Sequence, residues 1–272
     1  MDADDMLARA RSFERGAGDY ERLRPEFPKQ LFDDICASAG TRMHGRMLEV
    51  GAGTGRATLP LVRRGATIEV VEPSTDMVGV LAGRLEAAEL SQQCDLRQAA
   101  FEDVDPGSTY DVVIAAQSFH WADPATRWSR LSSLLRAGGR AYLFWNGWRL
   151  ASQMHDLEGV RALYLRRGHG LQHDVEDHRS DTGWAESEIG TDPNLELVDA
   201  RSYEWPWRLD VDDYLGLLRT TSQYSVADAG FREPLLNSLR GLLGDQVTLQ
   251  GRTRLLQIDT HDAPDRSPHR HS

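Results

Sequence analysis

The residues most suited to binding a ligand surround a glycine-rich turn early in the 272-residue chain. Glu49 precedes this turn, Gly51, Gly53 and Gly55 form it, and Glu72 ends the next apolar segment. Glycine adopts positive φ without strain and leaves room for a ligand beside the backbone. An α/β sheet holds an adenosine with this sequence of strand, glycine turn, helix and second strand, and the second acid reaches the ribose hydroxyls.

The spacing of these residues favours S-adenosylmethionine over a dinucleotide. Dinucleotide sites use G-x-G-x-x-G because a pyrophosphate rests on the helix N-terminus, whereas here Arg56 occupies the position of the last glycine. Glu49 would repel a pyrophosphate but suits the α-ammonium group of S-adenosylmethionine, and Glu72 suits its ribose diol. An unrelated βαβ unit with a glycine turn is the alternative. A nicotinamide oxidoreductase is disfavoured by Arg56 and Glu49.

Further segments carry a resemblance to a known family. With the turn Glu49–Gly55, they are Tyr20–Pro28 (Y-x-x-x-R-P-x-F-P), Ala115–Trp121 (AAQSFHW), Leu135–Gly139 (LRAGG) and Tyr214–Thr220 (YLGLLRT). Together they resemble class I S-adenosylmethionine-dependent methyltransferases, in particular the trans-aconitate methyltransferase-like (methyltransferase type 11) branch. Phe27 stands where that branch usually has Tyr. The resemblance implies a Rossmann-like α/β fold, S-adenosyl-L-methionine as methyl donor and S-adenosyl-L-homocysteine as product.

Composition and charge limit the classes of partner. The formal net charge of −11 disfavours non-specific nucleic-acid binding, which depends on neutralising phosphates. No apolar run is long enough to span a membrane, and Met1–Asp5 is acidic where a secretion signal is basic and then apolar. Cys36 and Cys94 belong to no C-x-x-C pair, which disfavours structural zinc and a redox motif. We therefore expect a cytoplasmic monomer or homodimer that acts on a small molecule and binds no metal, membrane or nucleic acid.

Strands and helices alternate between residues 46 and 146, which predicts a mostly parallel sheet with helices on both faces. The predicted strands are Arg46–Val50, Thr67–Val71, Asp95–Ala99, Tyr110–Ala115 and Arg140–Asn146. The predicted helices are Phe27–Ala39, Ala57–Arg64, Thr75–Ala88 with Ser74 as N-cap, and Pro124–Leu135. Ligands of such sheets bind at the carboxyl ends of the strands, where the motifs lie.

The remaining segments are predicted to cover or complete this core. Residues 1–40 are expected to form cap helices, 41–150 the cofactor-binding core, 151–190 an insertion or lid, 191–258 the late strands and helices, and 259–272 a disordered tail. The expected late elements are a helix at Met154–Arg167, an antiparallel strand at Asn194–Trp207, helices at Val211–Thr220 and Phe231–Leu243, and a strand at Gln246–Leu256.

Four histidines in the predicted insertion invite a metal interpretation: His155, His169, His173 and His178. His169 and His173 are four residues apart, a spacing that can place two ligands on one helix face. Gly168 and Gly170 flank His169 and disfavour a rigid helix, so a solvated loop is the better expectation.

The cofactor is expected to be contacted from several strand ends. Glu49 and the glycines should hold its methionine end and Glu72 its ribose, and the resemblance places Tyr20 over it. In the family an acid that bonds the adenine stands where this chain has Ala100. Here either Glu102 or a backbone group replaces it, or the adenine end is held more loosely. The other candidate contacts are Pro73, Met77, Phe101, Ala116 and Gln117, of which Met77 and Phe101 are equally plausible as core residues.

His120 is the best candidate for a catalytic general base. A base is needed only if the acceptor carries a proton at neutral pH, since a carboxylate acceptor needs none. Arg24 is a candidate to clamp a substrate carboxylate, or else part of a structural ion pair. The other candidate substrate-binding residues are Trp121, Trp145, Tyr214 and Arg219. Trp121 and Trp145 could form an aromatic wall for the substrate or face the sulfonium, or both could be core residues.

The expected function is methylation of a small molecule, at a carboxylate or hydroxyl oxygen, in a setting such as natural-product biosynthesis. Fold does not fix reaction. A protein that binds S-adenosylmethionine but catalyses another reaction, such as a cyclisation, and a non-catalytic binding subunit therefore remain alternatives.

Overall fold

The computed structural model describes residues 22–168, 170–171 and 183–261. Several predictions lie outside these residues: the part of the predicted cap helices before residue 22, the place of Tyr20 over the cofactor, the loop with His169, His173 and His178, and the tail beyond residue 261. No helix in the described ranges is long and apolar enough to cross a membrane.

One seven-stranded sheet organises the described chain. Its strands are β1 (Met47–Val50), β2 (Ile68–Val71), β3 (Cys94–Arg97), β4 (Tyr110–Ala116), β5 (Leu135–Leu150), β6 (Leu195–Asp210) and β7 (Gln246–Thr260). Their order is β3-β2-β1-β4-β5-β7-β6, and only β7 pairs antiparallel, with both β5 and β6. The predicted Rossmann-like α/β fold is therefore confirmed.

The strand order reverses direction between β1 and β4. The chain proceeds outward from β1 to β3, then returns to place β4 against the other side of β1. In open α/β sheets, ligands bind in the crevice at this switch point, outside the carboxyl ends of the strands. The glycine turn and the Ala115–Trp121 segment both follow strands at this crevice.

Helices cover both faces of the sheet and one end of it. They are α1 (Lys29–Ala39), α2 (Thr58–Val62), α3 (Thr75–Ala87), α4 (Arg127–Leu134), α5 (Leu157–Arg167), α6 (Trp184–Ile189), α7 (Val211–Arg219), α8 (Ser222–Ser225) and α9 (Ala229–Leu243). Ser74 caps α3 as predicted, because its Oγ accepts a hydrogen bond from Met77 N at 3.4 Å. This bond satisfies one of the backbone donors left open at the helix start.

Alternating side chains of the central strands pack into two separate hydrophobic cores, one on each face of the sheet. Ile114 of β4 packs in the cluster that buries α1, α2 and α3, whereas Val113 packs with α4 and α6 on the opposite face. Successive side chains of a strand point to opposite faces, so a buried parallel strand is apolar throughout. A third cluster joins α5, α7 and α9 to the far ends of β5 and β7.

The late strands are longer than the sequence predicted. β5 continues to Leu150 instead of ending at Asn146, and β7 continues to Thr260 instead of Leu256. Each strand supplies the other's backbone partners over eleven residue pairs, and such distant pairing leaves little trace in local sequence. The prediction that the tail begins at residue 259 was wrong, because Asp259 pairs with Arg140 across these strands.

Two boundaries near the core also differ. The helix predicted to reach Leu135 ends at Leu134, and β5 already begins at Leu135, which pairs with Tyr110. The helix in the predicted insertion begins at Leu157 and packs against α9, so it contributes to the third cluster.

Candidate active site

The glycine turn after β1 is fixed by the segment that follows β4. Gly51 has φ of 65° and donates its N–H to Val71 O at 2.8 Å. A Cβ on Gly51 would lie 2.5 Å from the Ser118 Cβ. Ser118 in turn donates from Oγ to Val50 O at 2.5 Å. The carboxyl ends of β1 and β4 therefore meet at a position that only glycine fits.

Glu72, at the end of β2, braces the turn with both carboxylate oxygens. Its Oε2 accepts from Gly53 N at 2.8 Å and its Oε1 accepts from Ser74 N at 2.9 Å. Burial raises the pKa of this carboxyl, and the two N–H donors oppose that rise. A carboxylate offers about four lone-pair positions, so two accepted bonds leave capacity for ribose hydroxyls.

Glu49 is fully buried at the end of β1 and only half satisfied. Its Oε2 accepts from Thr58 Oγ1 at 2.7 Å, while no hydrogen-bond partner for Oε1 exists among the described residues. Burial raises the pKa of this carboxyl to about 8; the Thr58 hydroxyl opposes the rise and the charge of Glu72 adds to it. A buried acceptor without a partner costs about 1–3 kcal/mol, and a ligand ammonium would satisfy it.

The other two glycines of the turn have different surroundings. A Cβ on Gly53 would meet the Met77 sulfur at an ordinary 3.7 Å. A Cβ on Gly55 would lie 2.3 Å from Leu81 and 2.8 Å from Leu59. Gly53 thus faces Glu72 and Met77 near the candidate ligand, whereas Gly55 lets helices α2 and α3 pack closely against the turn.

Arg56 has a role that sequence reasoning did not find. It is 9% exposed, and its guanidinium donates to Glu26 Oε1 at 2.8 Å. This ion pair ties the start of the helical segment after the glycine turn to the chain that precedes α1. From the sequence, Arg56 was interpreted only as evidence against a pyrophosphate-binding site. Its partner lies thirty residues away, and no local pattern indicates it.

The side-chain amide of Gln117 is hydrogen-bonded to the protein itself. Its Nε2 donates to Asn146 O at 3.0 Å and its Oε1 accepts from Asn146 N at 2.7 Å. The residue adopts φ of 59°, which is uncommon outside glycine and costs about 1–3 kcal/mol. The reciprocal bonds offset this strain and join the end of β4 to β5 at Asn146. Gln117 therefore shapes the crevice through its backbone; Ala116, beside it, is partly buried.

Asn146 is a second residue that sequence reasoning missed. Its Oδ1 accepts from Thr253 Oγ1 at 2.6 Å, and its Nδ2 approaches Glu26 O at 3.4 Å. It thus connects β5, β7 and the chain before α1. The available signal in the sequence was the position of Asn146, a polar residue directly after an apolar run.

His120 and Trp145 form a hydrogen-bonded pair. The Trp145 Nε1–H donates to His120 Nδ1 at 3.2 Å. The His120 ring lies 4.8 Å from the partly buried Trp121 ring. Trp145 is 1% exposed and contacts the Trp184 ring at 5.7 Å. The two tryptophans of the predicted aromatic wall therefore differ. Trp121 is partly buried, whereas Trp145 lies in the core and reaches the crevice only through its indole N–H.

The end of β3 departs from an adenine site built on an acid. Phe101 is buried against the Phe119 ring, at 5.9 Å between centroids, and beneath Arg130. Glu102 is exposed and accepts from Asp123 N at 3.2 Å. Pro73, at the end of β2, is also exposed. The structure thus places Phe101 in the core and Glu102 at the surface near this strand end.

The candidate substrate arginines have partners within the protein. Arg24 donates to Thr220 O at 3.0 Å and its guanidinium lies 5.4 Å from the Trp148 ring centroid. Arg219 pairs with Glu233 at 2.7 Å, and this bond contributes most to lowering the pKa of that carboxyl. Tyr214 is fully buried in the third cluster. These contacts favour structural roles, which the sequence had left open for Arg24.

Comparison with known proteins agrees with this geometry. Residues 48–141, from β1 into β5, match the family model described as a methyltransferase domain. The matched segment contains the glycine turn, both buried acids and His120. This segment resembles a methyltransferase domain. The chain matches an uncharacterised methyltransferase of Mycobacterium tuberculosis with 38% identity over 135 residues, which is 50% of this chain and 52% of that protein.

Matches that cover more of the chain are weaker in sequence. A candidate methyltransferase of Dictyostelium discoideum is 22% identical over 243 residues, 88% of each chain. The structure of a candidate type II methyltransferase from Anaeromyxobacter dehalogenans superimposes with a TM-score of 0.58 at 24% identity, covering 86% of this chain and 97% of that one. The chain spans about half the length of the first curated relatives it matches. The trans-aconitate methyltransferase-like branch stays a prediction.

Proposed function

We propose that this protein transfers a methyl group from S-adenosylmethionine to a small molecule. The observation that carries the proposal is the buried Oε1 of Glu49, which has no partner in the described part of the chain and lies at the carboxyl end of β1. An ammonium group satisfies such an oxygen and favours its ionised form, because an opposite charge nearby offsets the burial of a carboxylate. S-adenosylmethionine carries this group.

The remaining residues of the site fit the same ligand. Gly51 and Gly53 leave the turn open beside Glu49, and Glu72 retains acceptor capacity for the ribose diol. Met77 lies next to Gly53 and is placed to pack against the ligand's apolar surface. Each group thus matches one part of the ligand, from the amino acid to the ribose.

The chemistry of methyl transfer demands mainly positioning from the protein. The bound sulfonium compound supplies an electrophilic methyl group, so the protein must hold the acceptor atom about 3 Å from it and in line. His120 and Trp121 follow β4 at the switch point, where we propose that they orient the acceptor. We further propose that the acceptor is an oxygen of a small molecule, in a setting such as natural-product biosynthesis.

Titration calorimetry with S-adenosylmethionine and S-adenosylhomocysteine tests this proposal. We expect one site per chain, and we expect Glu72→Gln to weaken binding roughly tenfold or more, since bonds to a charged acceptor contribute about 1.5–3 kcal/mol. Glu86→Gln, an exposed acid on α3, is the matched control and should bind like wild type.

Two outcomes count against the proposal. No binding of either ligand at millimolar concentration would end it. Full affinity in a folded Glu72→Gln protein would remove the ribose role of Glu72 while leaving the rest intact.

A further inference from the structure

We propose that Thr58 is a positioning residue of the candidate cofactor site, because it occupies one carboxylate oxygen of Glu49 and leaves the other for a ligand ammonium group. The proposal rests on the S-adenosylmethionine binding proposed above, and it names the residue that controls the charge of this acid. The observation behind it is the hydrogen bond from Thr58 Oγ1 to Glu49 Oε2 at 2.7 Å. Both residues are 0% exposed, so bulk water does not compete for this bond.

The fold around the glycine turn brings these two residues together. Glu49 lies in β1, and Thr58 begins α2 nine residues later. The turn between them is fixed at Gly55, whose carbonyl accepts from Leu59 N at 3.1 Å and where a Cβ would collide with Leu59 and Leu81. The packing of the turn therefore places the Thr58 hydroxyl against Glu49, and the bond needs no ligand to form.

This bond makes the two oxygens of Glu49 unequal. A threonine hydroxyl has a single proton to donate, and Thr58 donates it to Oε2, whereas Oε1 has no partner among the described residues. When Glu49 is neutral, its proton therefore resides on Oε1, because the carbonyl oxygen of a carboxyl group is the better acceptor. On ligand binding the Oε1–H bond breaks, its proton leaves to solvent, and an N–H of the ligand ammonium donates to the ionised oxygen.

The groups around Glu49 determine how readily it ionises. Besides Thr58, its charge interacts with Glu72, which follows β2, and with Cys94 of β3. Burial raises the pKa of Glu49 to about 8, and the charge of Glu72 adds to this rise. Burial and the charge of Glu49 raise the pKa of Cys94 to about 12, so this thiol stays neutral. Of these three neighbours only Thr58 favours the ionised form of Glu49, because a hydrogen bond to a charged group stabilises it.

A simpler role for Thr58 is purely structural. In that case the loss of its hydroxyl would disturb the glycine turn and weaken every ligand of the site alike. The two roles differ for a ligand that lacks the ammonium group. 5′-Methylthioadenosine keeps the ribose and adenine of S-adenosylhomocysteine but has no amino-acid end. A positioning role that acts through Glu49 therefore predicts an effect on S-adenosylhomocysteine alone.

Titration calorimetry with these two ligands near neutral pH tests the proposal. We expect Thr58→Val to bind S-adenosylhomocysteine roughly tenfold or more weakly than wild type, the value of one hydrogen bond to a charged group. Thr58→Ser, which retains the hydroxyl, should bind it like wild type. The affinity for 5′-methylthioadenosine should be the same in all three proteins. Thr221→Val is the matched control and should change neither affinity, because Thr221 is buried and its hydroxyl donates to Leu218 O.

Carbon-13 NMR of the Glu49 carboxyl in the ligand-free protein gives an independent readout. Its signal is identified by its loss in Glu49→Gln. We expect the titration midpoint of Glu49 to move to higher pH in Thr58→Val and to stay at the wild-type value in Thr58→Ser, since the valine variant has lost a donor to the ionised form. The affinity for S-adenosylhomocysteine rises as Glu49 ionises, so its pH profile should move to higher pH in Thr58→Val as well.

The contrary outcomes are equally specific. An unchanged Glu49 midpoint or an unchanged affinity for S-adenosylhomocysteine in Thr58→Val overturns the proposal. Equal weakening of both ligands overturns it too and assigns Thr58 the structural role. Thr58→Ser and Thr58→Ala differ from each other only in a hydroxyl group, so they carry the same comparison if Thr58→Val does not fold. Absence of S-adenosylhomocysteine binding to wild type refutes the proposed function instead, and the Glu49 midpoints of the ligand-free proteins remain a separate test of Thr58.

Discussion

At the scale of single residues, two buried acids define the site, and they differ in whether both carboxylate oxygens accept a hydrogen bond. Glu72 has both oxygens engaged by backbone N–H groups, whereas Glu49 has one oxygen engaged and one without a described partner. Glu72 organises the turn, and we propose that the unsatisfied oxygen of Glu49 binds a cation. The sequence assigned the ammonium group to Glu49 and the ribose to Glu72, but it did not predict that Glu72 also accepts from two backbone N–H groups, because these contacts form only in the folded turn.

The raised pKa of Glu49 predicts how stability depends on pH. Its carboxyl titrates near the ordinary 4.5 in the unfolded chain and at about 8 in the folded protein. Between these values the folded state binds more protons than the unfolded state, so this group lowers the free energy of unfolding as pH rises. Urea unfolding between pH about 5 and about 9 should show this decline in the wild type, levelling off above about pH 8.

Glu49→Gln is the control for that pH dependence. An amide cannot ionise, so the variant should lose the part of the decline that Glu49 causes while other titrating groups act equally in both proteins. Identical pH profiles for the two proteins would mean that Glu49 is not held neutral in the folded state.

At the scale of elements, the site depends on the close meeting of the ends of β1 and β4. Ser118 donates to Val50 O, and Gly51 lies against the Ser118 side chain. Gln117 fastens the same end of β4 to β5. The sequence predicted that these segments lie together, since parallel strands end at one edge of a sheet. It did not predict the Gln117 pairing, because a positive φ at a non-glycine residue has no sequence signature.

Gly51→Ala tests this close contact. The new Cβ would lie 2.5 Å from the Ser118 Cβ at φ of 65°, and a left-handed conformation alone costs an alanine about 1–2 kcal/mol. We expect a loss of about 2–4 kcal/mol in the free energy of unfolding once the clash is included. Adding Ser118→Gly should recover part of the loss, because it removes the clash but leaves the strain.

Gly79→Ala is the matched control for Gly51→Ala. Gly79 lies within α3, and a Cβ there would meet no atom within 4 Å. The substitution should stabilise the protein by about 0.5–1 kcal/mol, since alanine is the better helix former. Equal stability of Gly51→Ala and wild type, measured by urea unfolding, would contradict the close contact.

At the scale of the whole molecule, the segment before α1 joins the sheet to the cluster of helices α5, α7 and α9. Phe27 packs on Phe144 at 4.8 Å between ring centroids, Arg24 bonds to Thr220 O, and Glu26 pairs with Arg56. The first contact reaches the central sheet, the second the C-terminal end of α7, and the third the end of the glycine turn. One short segment thus connects α7 to the candidate cofactor site.

Elements that depend on neighbouring residues in the sequence were predicted, whereas elements that depend on partners far along the chain were not. The parallel half was predicted within a few residues, because β1, β2 and β4 are short, largely apolar runs bounded by glycine, proline or polar residues. The lengths of β5 and β7 were not, because their paired residues lie between 99 and 119 residues apart, from Leu150–Leu249 to Arg140–Asp259. The same reason explains the missed Arg56–Glu26 and Asn146–Thr253 contacts, whose members are individually ordinary polar residues.

Proton release on ligand binding tests the central claim most directly, that Glu49 receives the ammonium group of S-adenosylmethionine. Titration calorimetry with S-adenosylhomocysteine, which keeps that ammonium group, is run near pH 7 in buffers of different ionisation enthalpy. Binding to wild type should release close to one proton, and affinity should rise as pH increases toward about 8, since ionised Glu49 binds the cation. Glu49→Gln should bind more weakly, without proton release. Equal affinity of the two proteins, or wild-type binding without proton release, would contradict the account.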